Sequence, residues 1–315
     1  MRVLVTGGAG FIGSHLCDRL LREGHQVAVV DDLSSGRRQR LGPEVAFHRL
    51  DIRSPWLGRV VEAERPEVIY HLAAQIDVRA SVRDPLLDGE VNVLGTVRLL
   101  RAAVAASVRR VVFVSTGGAI YGDTQLVPTE ESHPLRPASP YGAAKAAAEA
   151  YLSAFRESFG LEGAVLRPAN VYGPRQAPDG EAGVVAIFLK RLLQGQALLI
   201  NGDGRQTRDF VFVLDLVDAL LRLLDGTGGT FNAGTGRETT VLELAAELVR
   251  AIKSLRPDLD LPPPGHGPAR AGEQQRSCLD TSLARTQLGW QAETDLARGL
   301  KETAIWFMGR RERKG

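Results

Sequence analysis

Residues 3–13 read VLVTGGAGFIG. An apolar, β-branched run stops at Thr6, glycines stand at positions 7, 10 and 13, and an amphipathic segment, FIGSHLCDRLLREG, follows. Glycines spaced this way between a strand and a helix have separate tasks. Gly7 permits a tight turn, Gly10 lets the backbone approach a pyrophosphate, and Gly13 lets the helix pack closely on the strand. The helix start, at Phe11, Ile12 and Gly13, then presents unpaired N–H groups to phosphate oxygens. Asp31 ends the second strand, 18 residues beyond Gly13. A carboxylate there accepts hydrogen bonds from the adenosine ribose and repels a 2′-phosphate, so NAD is preferred to NADP. Arg37 and Arg38 lie close by in sequence and keep NADP open.

The same texture continues through the first half of the chain. Short apolar runs, RVLVT, QVAVV, VAFHRL, EVIYHLA, RRVVFVS and EGAVLRP, alternate with helical-period segments such as EVNVLGTVRLLRAAVAAS and SPYGAAKAAAEAYLSAFRESFG. That alternation predicts βαβ units around a parallel sheet, and the unbroken apolar runs predict strands buried on both faces. Gly24 reads as a helix C-cap, and Ser139 with Pro140 as an N-cap and first helical residue. Beyond about residue 168 the loops lengthen, as in NGDGRQTRD and LPPPGHGPARAGEQQR. The expectation is an α/β, doubly wound, Rossmann-like sheet over residues 1–167. A smaller substrate domain over 168–315 follows, with some segments returning to the first.

At 315 residues with 44% hydrophobic side chains, the chain has material for a substantial core. Its charged residues nearly cancel, to a formal +2, which argues against a nucleic-acid binder. Cys17 and Cys278 are the only cysteines and lack metal-ligand spacing, so neither a disulfide framework nor a metal is expected. Glycines interrupt the first apolar run, and no apolar stretch reaches 18 residues, so neither a signal peptide nor a membrane span is expected. A cytoplasmic location follows from these absences.

Two further stretches suggest chemistry. FVSTGGAIYGD, residues 113–123, delivers Ser115 and Thr116 to a strand end and then places Gly117 and Gly118 beside them. SPYGAAK puts Tyr141 and Lys145 four apart, on one helix face. A tyrosine base at neutral pH needs its pKa lowered by roughly three units, or about 4 kcal/mol, which an adjacent ammonium and a cationic nicotinamide ring would supply. Asp51, after the third strand, is placed to hold an adenine amino group. His71, in HLAA, reads as a satisfied buried histidine.

With these stretches together, the chain resembles the extended short-chain dehydrogenase/reductases, and among them the UDP-glucose (UDP-galactose) 4-epimerases. The likeness runs through TGGAGFIGSH, VVDDLSSG, HLAA, NVLGT, STGGAIYGD, SPYGAAK, LRPANVYGPRQ, DGRQTRDFVFVLDLVDA, FNAGTG and LGW. It implies tightly held NAD, a UDP-sugar substrate and a homodimer formed through paired helices. It implies that Tyr141 takes the proton of the sugar 4-hydroxyl while hydride leaves C4, and that Lys145 binds the nicotinamide ribose. The 4-keto sugar turns over and receives hydride on its other face.

Thr116 or Ser115 would hydrogen-bond the reacting oxygen. Asp32, Ser35, Gly36, Ile52, Leu72, Ala73, Ala74, Asn92 and Pro168 would join the cofactor contacts. Gly117, Gly118 and Asn170 would border the sugar diphosphate, Arg208 and Arg270 would clamp it, and Glu273 lies beside the second clamp. Val185, Phe188, Leu199 and Asn201 fall where the family builds its uracil pocket, with a core reading equally open for the three apolar ones.

The likeness has two departures. The family's usual hydroxyl position falls on Gly117, so Thr116 is expected to shift into its role. Pro168 stands where some members carry a tyrosine. Related dehydratases need an acid after the strand-end hydroxyl, and here glycines occupy that place, which favours epimerisation. Ser277, small at the position that gates the sugar pocket, implies room for N-acetyl sugars. A UDP-glucuronate 4-epimerase and a non-catalytic NAD sensor are the other readings carried forward.

Overall fold

The computed structural model describes residues 1–178, 183–269 and 274–312. The first half runs β1 (Arg2–Thr6), α1 (Phe11–Arg22), β2 (Gln26–Asp31), β3 (Ala46–Arg49), α2 (Leu57–Glu64), β4 (Val68–His71), α3 (Val78–Arg83) and α4 (Pro85–Gly89). A π-helical turn over Glu90–Gly95 then leads into α5 (Thr96–Ala105), β5 (Arg110–Val114), the short α6 (Gly117–Ile120), α7 (Pro140–Phe159) and β6 (Glu162–Pro168). The remainder comprises β7 (Asn170–Tyr172), α8 (Val184–Leu193), β8 (Leu199–Asn201), β9 (Thr207–Arg208), β10 (Phe210–Phe212), α9 (Val213–Arg222), β11 (Gly229–Ala233) and β12 (Thr239–Thr240). It ends with α10 (Val241–Leu255), β13 (Gly265–Gly267), α11 (Ser282–Leu288) and α12 (Leu296–Glu312).

Seven strands form one parallel sheet in the order β11-β6-β5-β4-β1-β2-β3. The direction of winding reverses between β1 and β4, and the crevice beyond their carboxyl ends is where open α/β sheets receive ligands. Alternate residues of the strands feed two cores. Val3, Val5, Val29, Tyr70, Val112 and Leu166 face the side covered by α1 and α9. Leu4, Val30, Ile69, Phe113 and Val165 face the side covered by α2, α5 and α7. The last strand to join, β11, comes from beyond residue 168, so the sheet crosses the expected 167/168 boundary. A third core gathers α8, α10 and α12 around Phe210 and Phe212.

One expectation fails at the sheet margin. VAFHRL forms an edge strand, β3, and its residues are exposed or half-buried because nothing pairs beyond it. Central strands such as β4 and β5 are buried throughout, as their sequence predicts. Ser139 caps α7 by accepting from the Gly142 amide at 3.2 Å, and Pro140 follows at the first helical position. Gly24, with φ of +81°, sits just past the α1 cap residue Glu23. Cys17 and Cys278 are both free and buried. No helix among the described residues is long and apolar enough to cross a membrane.

Candidate active site

The glycine turn lies at the switch point. Gly7 has φ of +71°, and a methyl group on it would sit 2.7 Å from the Ala73 amide nitrogen. Only glycine allows β1 and the chain after β4 to approach so closely. A methyl on Gly13 would lie 2.3 Å from the Gly7 carbonyl, so the helix start rests directly on the turn. At Gly10 the sole neighbour is that same carbonyl, at 3.0 Å, and α1 has no side-chain cap. The first-turn N–H groups of α1 therefore have no intrahelical acceptor and form an anion-binding end. This cradle fits a dinucleotide pyrophosphate.

Asp31 is buried and organises the turn: its carboxylate accepts from the Ala9 amide at 2.9 Å and the Leu33 amide at 2.8 Å. Burial raises its pKa above the ordinary carboxylate value, against the pull of those two amides. Gly36 packs so tightly on this carboxylate that a methyl there would lie 2.6 Å from Oδ1. Asp32 accepts from the Ser34 amide and hydroxyl, and both it and Ser35 are exposed. Phe11 meets His15 edge-on, while Ile12 and Leu72 lean on the sheet core. Ala73 donates its amide to Thr6 Oγ1 and, like Ala74, is half-buried.

Three expected cofactor contacts are otherwise engaged. The Asp51 carboxylate is held by the Arg53 amide and guanidinium, at 2.6–3.1 Å, which lowers its pKa. Ile52 is a core residue beneath Gly95. Asn92 uses its amide on the protein itself, accepting from the Gln75 amide and donating to the Gln75 carbonyl and to Asp88. It thereby fixes the loop after β4. A five-residue motif in sequence does not reveal which way a buried amide points.

His71 behaves as its sequence context suggests. Its Nδ1 pairs with Thr6 Oγ1 at 2.7 Å and its Nε2 with Thr96 Oγ1 at 2.9 Å, and Thr96 passes its own proton to the Asn92 carbonyl. These partners assign a neutral ring, and burial lowers its pKa to about 3.

The hydroxyls and the Tyr–Lys pair converge at the carboxyl end of β5. Thr116 is the N-terminal flank of α6, and its side chain faces the Tyr141 hydroxyl closely enough to favour the phenolate. Gly142 makes this possible: a methyl there would lie 2.5 Å from the Ala119 carbonyl, so only glycine lets α6 sit against α7. The Tyr141 amide donates to Ser81 Oγ at 3.2 Å, which anchors the start of α7 on α3.

Lys145, 4% exposed, donates from Nζ to the Val114 carbonyl at 3.0 Å and lies 4.7 Å from the centre of the Phe113 ring. Burial lowers its pKa to about 8. Tyr141 is shifted the other way in the protein alone. Its pKa is raised, first by burial and then by the negative charge of Asp88, and the Thr116 side chain only moderates this. In the protein alone the ammonium of Lys145 does not overcome desolvation of the phenolate.

Ser115 lies beside this group but outside it: its buried Oγ has no hydrogen-bond partner. The glycines that follow differ from each other. A methyl on Gly117 would lie 2.4 Å from Leu279 Cδ1 and 3.1 Å from the Pro168 carbonyl, so the side-chain direction of Gly117 is filled by the protein. Gly118 has open space, bounded at 3.9 Å by Asn170 Oδ1, which is itself buried and unpartnered. Of the two expected to border the sugar, only Gly118 faces room.

Among the remaining candidates, Val185 and Phe188 are buried in the third core. Leu199 is 50% exposed on β8, and Asn201 pairs in register with Gly267 of β13. Arg208, half-buried on β9, donates to the Thr207 carbonyl at 2.7 Å. Ser277 is buried. Arg270 and Glu273 lie outside the described residues.

Sequence reading missed a buried polar network behind the site. Arg167 on β6 binds the Glu149 carboxylate with two guanidinium nitrogens, at 2.5 and 3.0 Å, and donates to the Tyr121 hydroxyl, which in turn donates to Asn232. Glu149 continues the Tyr141–Lys145 stripe by one further helical turn, and that spacing is the signal that would have found it.

A doubly wound sheet with a glycine cradle at its switch point and a tyrosine–lysine–threonine group beside it, its lysine buried, defines a nucleotide-cofactor-dependent enzyme of the short-chain dehydrogenase/reductase type. The chain belongs to the NAD dependent epimerase/dehydratase family, which matches residues 3–234. It is 49% identical to the UDP-glucose 4-epimerase of Mycolicibacterium smegmatis, covering 98% of each chain. The UDP-glucose 4-epimerase of Thermotoga maritima, solved with UDP-glucose, superimposes with a TM-score of 0.93 at 44% identity, over 98% of this chain and 99% of that one. The Thermus thermophilus UDP-glucose 4-epimerase, solved with NAD, gives a TM-score of 0.91 at 42% identity, over 98% and 99%.

Proposed function

We propose that the chain interconverts UDP-glucose and UDP-galactose by NAD-dependent inversion at C4. The observation that carries this reading is the placement of the half-buried Tyr141 and Thr116 beside each other, with the buried Lys145 on the same helix face as Tyr141, at the sheet edge beside the glycine cradle. Full-length similarity to UDP-glucose 4-epimerases supports the substrate.

In this reading the Gly7–Gly13 turn and the start of α1 hold the dinucleotide phosphates, and Asp31 faces the adenosine ribose. NAD, when bound, would supply the reversible hydride acceptor that inversion at the sugar C4 requires. Tyr141 takes the proton of the 4-hydroxyl in the first half-reaction and gives it back in the second. Thr116 orients the phenol and the reacting oxygen through its hydroxyl. Lys145, charged, biases Tyr141 toward phenolate once a bound cofactor adds its own positive charge.

The open side of Gly118 and the free acceptor of Asn170 leave room for the keto sugar to turn, and positions 117–122 supply no acid to drive elimination. Arg208, with Arg270, would clamp the diphosphate through planar guanidinium donors. Leu199 and Asn201 belong to the uracil side in this reading, and the small Ser277 admits N-acetyl sugars.

The protein also acts as a homodimer in this proposal. Val82, Leu86, Leu87 and Leu94 expose apolar side chains along α3, α4 and the π-helical turn, with Leu86 at 80% exposure, and Tyr151 continues the surface on α7. Such a face is stabilised by pairing with a second copy. A cytoplasmic location is consistent with two free, buried thiols.

The test is direct. Purified protein is incubated with UDP-galactose, UDP-glucose formation is followed, and Tyr141→Phe serves as control. A parallel panel with the N-acetyl and glucuronate sugars defines breadth. Turnover of UDP-galactose abolished by Tyr141→Phe is expected; an inactive wild type would end the enzyme reading, and turnover of UDP-glucuronate alone would replace its substrate.

A further inference from the structure

Asp88 is a buried carboxylate that the reaction as described does not use. It is 1% exposed on α4, and its Oδ1 accepts from Gln75 Nε2 at 2.9 Å and Asn92 Nδ2 at 3.0 Å. Both partners are neutral amides. A buried carboxylate without a cation is expensive, so its charge must be compensated nearby.

Among the described residues, the buried charge around α7 leaves one cation for this task. Arg167 and Glu149 neutralise each other through two guanidinium–carboxylate contacts. His71, on β4, is neutral between Thr6 and Thr96. On α3, Asp77 uses its carboxylate to cap the helix at the Ala80 amide, and Arg79 and Arg83 are exposed. Asp84 caps α4 at the exposed surface, and Glu90 pairs there with Arg53. Thr116 on α6 and Phe113 on β5 carry no charge. Lys145 remains, with one backbone carbonyl as its hydrogen-bond partner and the Phe113 ring beneath it.

We infer that Asp88 is the counter-charge of Lys145, a positioning residue that keeps the lysine an ammonium and restrains Tyr141 from ionising early. Gln75 and Asn92 hold it in place and prevent it from swinging onto the ammonium, which therefore stays free to act toward the tyrosine and a bound ribose. Glu149 and, after it, Asp88 raise the lysine pKa, and Asp88 alone of the two also raises the tyrosine pKa. The inference rests on the proposed roles of Tyr141 and Lys145.

Asp88→Asn keeps the shape and removes the charge. In NAD-loaded enzyme, the acid limb of the kcat profile reports Tyr141 and the alkaline limb Lys145. Without the anion the phenolate is less repelled and the ammonium less stabilised, so both limbs should move to lower pH, by about one unit. The tyrosinate absorbance assigned by subtracting Tyr141→Phe should move with them, and Asp88→Glu should restore part of the shift. A fall in kcat with both limbs unmoved would overturn the inference, since it would make Asp88 a structural residue only.

Chemical denaturation gives an independent reading. Asp88→Asn should cost markedly less stability in a Lys145→Met background than in wild type, and equal costs would refute the pairing. This also covers failure of the single variant to fold, because the double variant should then recover a folded state while Asp88→Asn alone does not. If Tyr141→Phe retained full turnover, the catalytic reading would fall instead, and the stability coupling would still decide whether the two charges pair.

Discussion

Replacing the adjacent hydroxyls at the end of β5 should have opposite consequences. The Thr116 side chain faces the Tyr141 hydroxyl closely enough to favour its phenolate, whereas Ser115 Oγ is buried without a partner. Thr116→Val is close to isosteric and removes the hydroxyl beside a group that carries negative charge during proton transfer. Hydrogen bonds to charged groups contribute about 1.5–3 kcal/mol, so kcat should fall by roughly 10- to 150-fold. Ser115→Ala removes a polar atom whose desolvation is uncompensated, and relief of about 1 kcal/mol should raise the melting temperature by roughly 2 °C with kcat unchanged. The assay is UDP-galactose turnover at saturating substrate, beside thermal unfolding of each variant. If Ser115→Ala lost as much kcat as Thr116→Val, the reasoning would be wrong: the orphaned oxygen would then be a substrate ligand.

Other outcomes follow from the same geometry. Gly117→Ala should destabilise by about 1–3 kcal/mol, because its methyl meets Leu279 Cδ1, whereas Gly118→Ala should fold normally and raise KM by narrowing open space; equal melting temperatures for the two would contradict this. Glu149→Gln leaves the Arg167 guanidinium buried without its anion and should cost about 3–5 kcal/mol in denaturant unfolding. His71, depressed to about 3 by burial, takes up a proton on unfolding below its ordinary value of 6.5, so its share of stability is complete above that pH and is lost as pH falls toward 3. Between pH 7 and 5 wild type should lose about 2 kcal/mol more than His71→Asn, and parallel pH curves would exclude the histidine as the cause.

Much of the fold is legible along the chain, because the features that encode it are local. Continuous apolar runs specify central parallel strands, and β4 and β5 follow that rule, but β3 carries a similar run to the sheet edge. Edge position depends on which strands find neighbours, and that is a property of the assembled sheet. The glycine spacing at 7, 10 and 13 encodes a turn that the assembled sheet completes through Asp31 and the close approach of Ala73. Tyr141 and Lys145 share a helix face by spacing alone.

The site's finer assignments depend on contacts between residues far apart in sequence. Thr116 meets Tyr141 because Gly142 lets α6 approach α7, while Ser115, one residue earlier, points into the protein. Gly117 is excluded from facing the sugar by Leu279, more than 160 residues away. Asn92 braces Gln75 and Asp88, and Asp51 pairs with Arg53. The type of chemistry therefore resides in residue identity and short-range spacing. Which hydroxyl takes part, which glycine leaves room and which carboxylate balances the lysine are decided by tertiary packing, since burial sets both the direction of a side chain and the energy of its charge.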